Sequence, residues 1–414
     1  MSINVLESVA TLQEDALALF QNRNCFVQTA NTKFVDFEKT IGNLGKEINL
    51  ELPFRFITTP SLVSEIQPLK QRYAKLIADK DGTVDYAMSA EEMIYHFDRN
   101  RERIGKSAIA ELSAYVEKDV ASRILDFTYR FYGDGKTTFS GLEDLEKMLI
   151  FYREVGSPSP SLNCYASDMH LLKARSNMMN QFAPIRNDKL ARRYEIGEYN
   201  YTKFYRSNML PIHEAGSVGQ KGTVLTVEGT NDASGKAITQ LQLSGEIEAD
   251  SLAFKKNDLI QFQDNIPSVA NVRFLTNVGH APSNCPVQCR VISDTKASKE
   301  GSITINIDPI LCADNTDSNW NITSNIVKGM KIQTAPSHRA GLLIGGDAFY
   351  IAMPKLPAES PNDSVSKYDP DTGVSIRVTY GTTAGSNVFG FHYGALWGTL
   401  MVPDYSMRIL FPVI

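Results

Sequence analysis

The stretch from Ser89 to Phe131 constrains the chain most, because its pattern calls for one long helix or two helices in line. Ser89-Ala90-Glu91-Glu92 opens it as a capping box, in which the serine accepts from a free backbone N–H and Glu92 reaches back to the first turn. Apolar residues recur at Ile104, Ala108, Leu112, Val116, Val120, Ile124, Phe127 and Phe131. Glu102–Lys106, Asp119–Arg123 and Asp126–Arg130 place acid before base at four-residue spacing, which supports a helix. Gly133-Asp134-Gly135 is expected to stop it. The part from Ile104 onward alone spans about 42 Å at ~1.5 Å per residue. Steps of four overshoot a helical turn by about 40° each, so the apolar stripe winds. Ile104, Ala108, Leu112 and Tyr115 face one way, and Val120, Ile124, Phe127 and Phe131 another. Such a helix is either a strut crossing between packing partners or a long core helix of an ordinary α+β enzyme.

A chain of 414 residues is expected to hold two or three domains around a large core. Its 43% apolar and 21% charged residues match a soluble globular protein. Lys plus Arg number 42 against 47 Asp plus Glu, a net charge of −5, which argues against a dedicated nucleic-acid binder. Met1-Ser2-Ile3-Asn4 carries no basic region before an apolar run, so no signal peptide is expected. No apolar run approaches ~18 residues, so no membrane span is expected. The 5 cysteines are odd in number and scattered, which fits reduced thiols in a cytosolic setting.

Residues 5–20 place Val5, Val9, Leu12, Ala16, Leu19 and Phe20 at helical spacing, as an amphipathic arm or a first core helix. Ile48, Leu50, Leu52, Phe54 and Phe56 then alternate with Glu47, Asn49, Glu51 and Arg55, a half-buried strand that Pro53 demotes to an edge. Tyr73–Ala78 and Thr83–Met88 read as a hairpin around Asp81-Gly82. Helices are expected over Gly141–Val155, Asp168–Met179 and Ala340–Met353, and an alternating strand over Glu198–Phe204. From about Gly216 to Ala335 no helix is convincing. Short strands recur there instead, at Thr223–Glu228, Ile238–Ser244, Leu259–Gln263, Val287–Ser293 and Ser302–Ile307, the pattern of a small all-β barrel or sandwich. Val374–Tyr380 and Met407–Phe411 read as strands. A β module inserted into an α+β domain is the simplest account, and the fold class is α+β.

No catalytic grouping emerges. Cys285 and Cys289 near His280 invite a zinc reading, yet the spacing is wrong, and Cys285, Val287, Cys289 and Val291 share one strand face as core residues. Cys25, Cys164 and Cys312 read as structural thiols. Asn315, Asp317 and Asn319 resemble the start of a calcium loop, but Trp320 replaces its glycine and Ile326 its glutamate. Asp369 to Gly373 is a turn. Gly216 to Gly222 fails the phosphate-loop spacing. Gly345-Gly346-Asp347 reads as an ordinary helix opening. Arg99, Arg101, Arg103 and Lys106 form the one basic cluster suited to phosphate contacts or, since Asp98 and Glu102 interrupt it, to an inter-subunit face. Asn200-Tyr201-Thr202 and Asn321-Ile322-Thr323 match a glycosylation pattern that carries no meaning without secretion.

In order, Arg72-Tyr73-Ala74-Lys75-Leu76-Ile77-Ala78 through Met88 runs straight into Ser89-Ala90-Glu91-Glu92-Met93. Asn208-Met209-Leu210-Pro211-Ile212-His213-Glu214-Ala215-Gly216 precedes the β module, which includes Asn271 to Thr276 and Val287 to Val291. Gly373-Val374-Ser375-Ile376-Arg377-Val378-Thr379-Tyr380 follows near the end. This succession, over roughly residues 45 to 414, resembles the major capsid (coat) protein of tailed bacteriophages, of the podovirus type with an inserted I-domain.

The resemblance implies an N-terminal arm (1–45), an E-loop (46–88), a spine helix with the first part of the peripheral and axial domains (89–215), an all-β I-domain (216–335), and the second part of the axial and peripheral domains (336–414). It implies a non-enzymatic shell subunit without a cofactor, forming hexamers and pentamers of an icosahedral head. The partners it implies are a scaffolding protein, a portal, and packaged double-stranded DNA held without sequence specificity. It implies no membrane; the place is the virion capsid, and the host cytoplasm before assembly. Leu52, Phe54, Arg55 and Phe56 would then be inter-subunit contacts of the E-loop. A bacterial nanocompartment shell and a multidomain binding protein or hydrolase are the alternatives.

Overall fold

The structure is a computed structural model that describes residues 16–18, 20, 24–32, 47–58, 66, 71–89, 91, 101–156, 160–172, 197–248, 250–264, 271–298, 301–357, 364–369, 373–382 and 388–413. The fold is α+β and rich in strands. The chain divides into two units, one of Met1–Glu51, Tyr73–Arg123 and Gly346–Met401, the other of Leu52–Arg72, Ile124–Gly345 and Val402–Ile414.

In the first unit the long helix runs Lys106–Ser122, entered through a π-helical turn at Arg101–Gly105. Its buried residues come in adjacent pairs four apart: Ala108 and Ile109, Leu112 and Ser113, Val116 and Glu117, Val120 and Ala121. Steps of four make this buried band wind by about 40° each, as the apolar spacing predicts, but Ile104 and Tyr115 of its first half are exposed, Tyr115 by 53%. On the N-terminal side, the Asn24 side chain caps the short helix Cys25–Thr29 by accepting from the Val27 N–H, and donates to the Ser113 carbonyl at 3.3 Å. The Cys25 thiol donates to Glu117 at 3.4 Å. Trp397, fully buried, donates its indole N–H to Asp119 at 2.9 Å and meets Tyr115 edge-on. Of residues 5–20, those from 5 to 15 and Leu19 lie outside the described residues, while Ala16 and Phe20 are buried as their spacing predicts.

The sheet of this unit is built on Val388–Met401, a 14-residue strand flanked on one side by Val374–Thr382 and then Ser364–Asp369, and on the other by Lys80–Ser89 and Phe349–Ala352. Glu47–Leu52 pairs with Arg72–Ile77 in a two-stranded sheet. The expected hairpin is therefore not made: of its two strands, one pairs with Glu47–Leu52 and the other joins the five-stranded sheet. Gly82 serves close packing instead of a turn, since a Cβ there would lie 2.9 Å from the Trp397 ring. Ser89 ends a strand instead of capping a helix, and Glu92 lies outside the described residues.

In the second unit the sheet runs Phe131–Tyr132, Ser406–Phe411, His338–Gly345, Leu162–Ala166, Thr202–Arg206 and Glu198–Tyr199, with Ile212–His213 pairing at one end of His338–Gly345. The helix Leu142–Glu154 covers it with Leu145, Met148, Leu149 and Tyr152, spaced three and four apart. Arg130, 1% exposed, donates to the Phe151 and Tyr152 carbonyls in the last turn of that helix. It therefore does not pair with Asp126, which bonds Lys256 and Asn257. The helical turn Ile124–Phe127 ends well before Phe131, because the Arg408 guanidinium takes the Leu125 and Thr128 carbonyls and Phe131 pairs in parallel with Arg408.

Two further expectations fail in this region. Ala340–Met353 is two strands and a 3-10 turn at Gly346–Ala348, not a helix. Leu342, Leu343 and Ile344 are all buried, as in a central strand with both faces covered, where periodicity disappears. Glu198–Phe204 is a hairpin with Asn200 and Tyr201 at positive φ, not one strand. Asp168–Leu172 is helical, and the remainder to Met179 lies outside the described residues.

The region read as all-β is a closed barrel in the order Ile238–Ser244, Ser302–Leu311, Gln288–Val291, Leu259–Phe262, Lys331–Thr334 and Val224–Thr230. One five-residue helix, Ser217–Lys221, precedes it. Alternation fills its interior: Ile303, Ile305 and Ile307 point in while Ser302, Thr304 and Asn306 point out.

Gly398 lies where backbones cross in the first unit; a Cβ there would come within 2.2 Å of the Ile77 carbonyl oxygen and 2.8 Å of the Ala78 Cα. Gly398→Ala is expected to destabilise the protein by about 1–3 kcal/mol or more, since neither backbone can yield cheaply. Chemical denaturation with an unchanged midpoint would show that the crossing is looser than this.

Candidate functional site

Pro53 has no N–H to continue a ladder, and the strand Glu47–Leu52 stops immediately before it. Residues 53–58 then run without regular structure. Within them Arg55 turns inward and donates from Nη2 to Asp404 Oδ2 at 2.7 Å. Arg72 reaches the same oxygen at 2.9 Å, and the Tyr129 hydroxyl donates to Asp404 Oδ1 at 3.2 Å. Burial raises the Asp404 carboxyl, but the Arg55 and Arg72 guanidiniums outweigh it and hold the group below the usual carboxylate range. Tyr129 is pushed well up by burial and by the Asp404 charge. The adjacent Tyr405 is likewise raised by burial and by the same charge.

While Arg55 is held, its neighbours point away. Phe54 is 44% and Phe56 58% exposed, with ring centroids 6.4 Å apart, and Leu52 is half-buried. The Phe56 backbone is fixed, its carbonyl lying 3.2 Å from His280 Nε2, with the His280 ring stacked on Trp320. The four loop residues singled out by sequence thus divide into one anchor, Arg55, one half-buried strand end, Leu52, and two presented rings. Asp404, Arg72 and Tyr129 were not legible as their partners; the only signal was an isolated acid in the apolar run Met401 to Phe411.

The basic cluster is only partly described. Arg99 and the side chain of Arg101 lie outside the described residues, and Arg103 and Lys106 are exposed at the start of the long helix. Other motifs resolve into scaffold. Cys285, Val287, Cys289 and Val291 are barrel core. Asp314 and Asp317 cap local turns through Thr316 and Asn319. Gly373 closes a turn onto the Asp369 carbonyl at positive φ. Gly216 donates its N–H to buried Asp258, and Gly222 ends the helix Ser217–Lys221 at positive φ.

A second constructed feature is the point where the barrel leaves the sheet. Ile212–His213 pairs antiparallel with His338–Arg339, so the chain departs at His213 and returns beside it at His338. Asp258, fully buried, accepts from the Gly216 and Lys255 N–H groups and from His213 Nε2 at 2.7 Å. His338 donates from Nδ1 to the Pro336 carbonyl at 2.8 Å. Burial and the nearby Arg408 charge push its imidazole from 6.5 down to about 3, so it is neutral in the folded state.

No family model matches the chain, and no curated protein matches it. Solved structures similar to it are mostly capsids of tailed phages. A Mycobacterium phage Che8 structure shares 8% identity over 93% of this chain and 90% of that one, with a TM-score of 0.44. The capsid structure of cyanophage P-SCSP1u shares 11% identity over 89% and 84%, with a TM-score of 0.40. A virus-like particle from Pyrococcus furiosus shares 9% over 97% and 98%, with a TM-score of 0.36.

The lowered His338 value has a definite sign in stability. The unfolded chain takes up a proton near pH 6.5 and the folded chain resists it down to about 3. The His338 contribution is thus fully present above pH 6.5 and lost as pH falls through that window. From pH 7 to 5 unfolding should become easier by about 1–2 kcal/mol through this group, and His338→Phe should shrink the difference. An unchanged pH 7-to-5 difference in the variant would show that His338 is not the group responsible.

Proposed function

We propose that this chain is the major capsid protein of a tailed bacteriophage, a structural subunit that assembles as hexamers and pentamers into the icosahedral head. The observation that carries the reading is the order of elements along the chain. An extended pair of strands leads into a long helix. A mixed domain follows, and a closed β barrel is then entered at His213 and left at His338, after which the mixed domain resumes. That succession resembles the capsid family by order and not by any one motif. The barrel is read as the inserted I-domain (216–335), the strands at 46–88 as the E-loop, and Lys106–Ser122 as the spine helix.

Presented rings support assembly in particular. Phe54 and Phe56 stand exposed although their backbone is fixed on both sides, by Arg55 and by His280. Burying one phenylalanine is worth roughly 1.5–3 kcal/mol, so a fixed pair favours a partner surface, most simply a neighbouring copy of this chain. A scaffolding protein and a portal are the assembly partners of this reading. The packaged double-stranded DNA is held without sequence specificity, in keeping with a net charge of −5. The site of action is the virion, reached from the host cytoplasm.

Concentrated protein, with scaffold supplied if needed, should sediment as closed particles of uniform size under negative-stain microscopy. Phe54→Asp and Phe56→Asp should leave the melting temperature of the unassembled chain within ~1 °C, because exposed substitutions shift stability little, while reducing particle yield at least tenfold. Persistent monomers of the native protein would overturn the shell reading, and normal particles from both variants would overturn the role of the two rings.

A further inference from the structure

We infer that Asp404 is the positioning residue for assembly: one carboxylate clasps the chain at Arg55 and at Arg72 and so fixes where Phe54 and Phe56 are presented. This rests on the shell reading and deepens it by naming what holds the contact loop ready. Arg55 and Arg72 lie on the outgoing and returning sides of one excursion of the chain, and both donate to the same Oδ2, at 2.7 and 2.9 Å. Tyr129 occupies the other oxygen at 3.2 Å, so both carboxylate oxygens have partners and none is left to water alone.

The site is sheltered but not sealed. Side-chain exposures are 15% for Arg55, 29% for Arg72 and 14% for Asp404, so the ion pairs lie in a partly desolvated setting. Charge-assisted bonds of this kind are stronger than neutral ones, and two guanidiniums on one oxygen fix both sides of the excursion together. Asp404 itself sits in a short 3-10 turn, Pro403–Tyr405, which leads directly into the central strand Ser406–Phe411. The anchor therefore inherits the rigidity of the sheet. Pro53 contributes from the other side by ending the preceding strand, which frees Arg55 to turn inward while residues on either side turn out. Preorganisation of this kind lowers the ordering cost of binding, which is where its effect on assembly lies.

The test uses the full-length chain and Asp404→Asn, which keeps the shape and removes the charge, with Asp404→Glu as the conservative partner. Hydrogen exchange of the unassembled chain is read by segment alongside particle yield. The expected result for Asp404→Asn is exchange about tenfold or more faster in residues 52–58, with the barrel segment 224–334 unchanged and particle yield reduced at least tenfold. Asp404→Glu should restore a substantial part of both. Asp404→Asn particles forming at the native rate would overturn the inference while leaving the shell reading intact. Acceleration spread equally over the barrel would also overturn it, by showing a global loss of stability. A native chain that never assembles overturns the shell reading itself, and with it this role, before any variant is made.

Discussion

A carboxylate without solvent exposure stands where one architecture hands over to another. Asp258 accepts hydrogen bonds from His213, Gly216 and Lys255, which gather the last residues of a sheet, the helix that follows and the approach to a barrel strand. A buried carboxylate without such partners costs several kcal/mol, so these three must converge for either the sheet or the barrel to be completed there. His338, neutral and 5.4 Å ring to ring from His213, closes the return side. The barrel can interrupt the sheet because both crossings of the boundary are fixed at one place.

The same logic recurs wherever a charge is buried. Arg130 satisfies the last carbonyls of the helix Leu142–Glu154, and Arg408 those of the turn Ile124–Phe127. In each case a side chain from a distant part of the sequence completes backbone groups that a helix end leaves without partners. Asp404 reverses the sign, one acid receiving two guanidiniums. Helix ends and an irregular stretch are thus tied to the sheet by a few long-range ionic contacts, which give them definite positions without regular hydrogen-bond ladders.

This division explains what was legible in the sequence. Five of the six barrel strands, all but Lys331–Thr334, were legible because the walls have one wet face: Ile303, Ile305 and Ile307 alternate with Ser302, Thr304 and Asn306. The long helix and Leu142–Glu154 were legible for the corresponding reason at period 3.6. Ala340–Gly345 was misread as helix because both faces of its strand are covered, and Val388–Met401 passed unnoticed for the same reason, its last five residues, Trp397 to Met401, being buried without alternation. Asp81-Gly82 misled because a glycine needed for close approach to Trp397 looks like a glycine needed for a turn. At the candidate site, Phe54 and Phe56 could be named from alternation, but the acid that holds Arg55 lies 349 residues further on, and no local pattern encodes such a distance.

The adjacency of His213 and His338 also bears on the order in which the chain folds. Leu162–Ala166 pairs with Leu342–Gly345 across well over a hundred intervening residues, and closing so large a loop is entropically slow. The barrel's own strands are nearer in sequence, so it can close first. Once closed, it holds its two ends side by side and turns a distant encounter into a local one, shortening the effective loop for the sheet by most of its length. By the logarithmic dependence of loop entropy this is worth roughly 1 kcal/mol to the later step. An insertion that looks like a burden on the host sheet acts, kinetically, as its template.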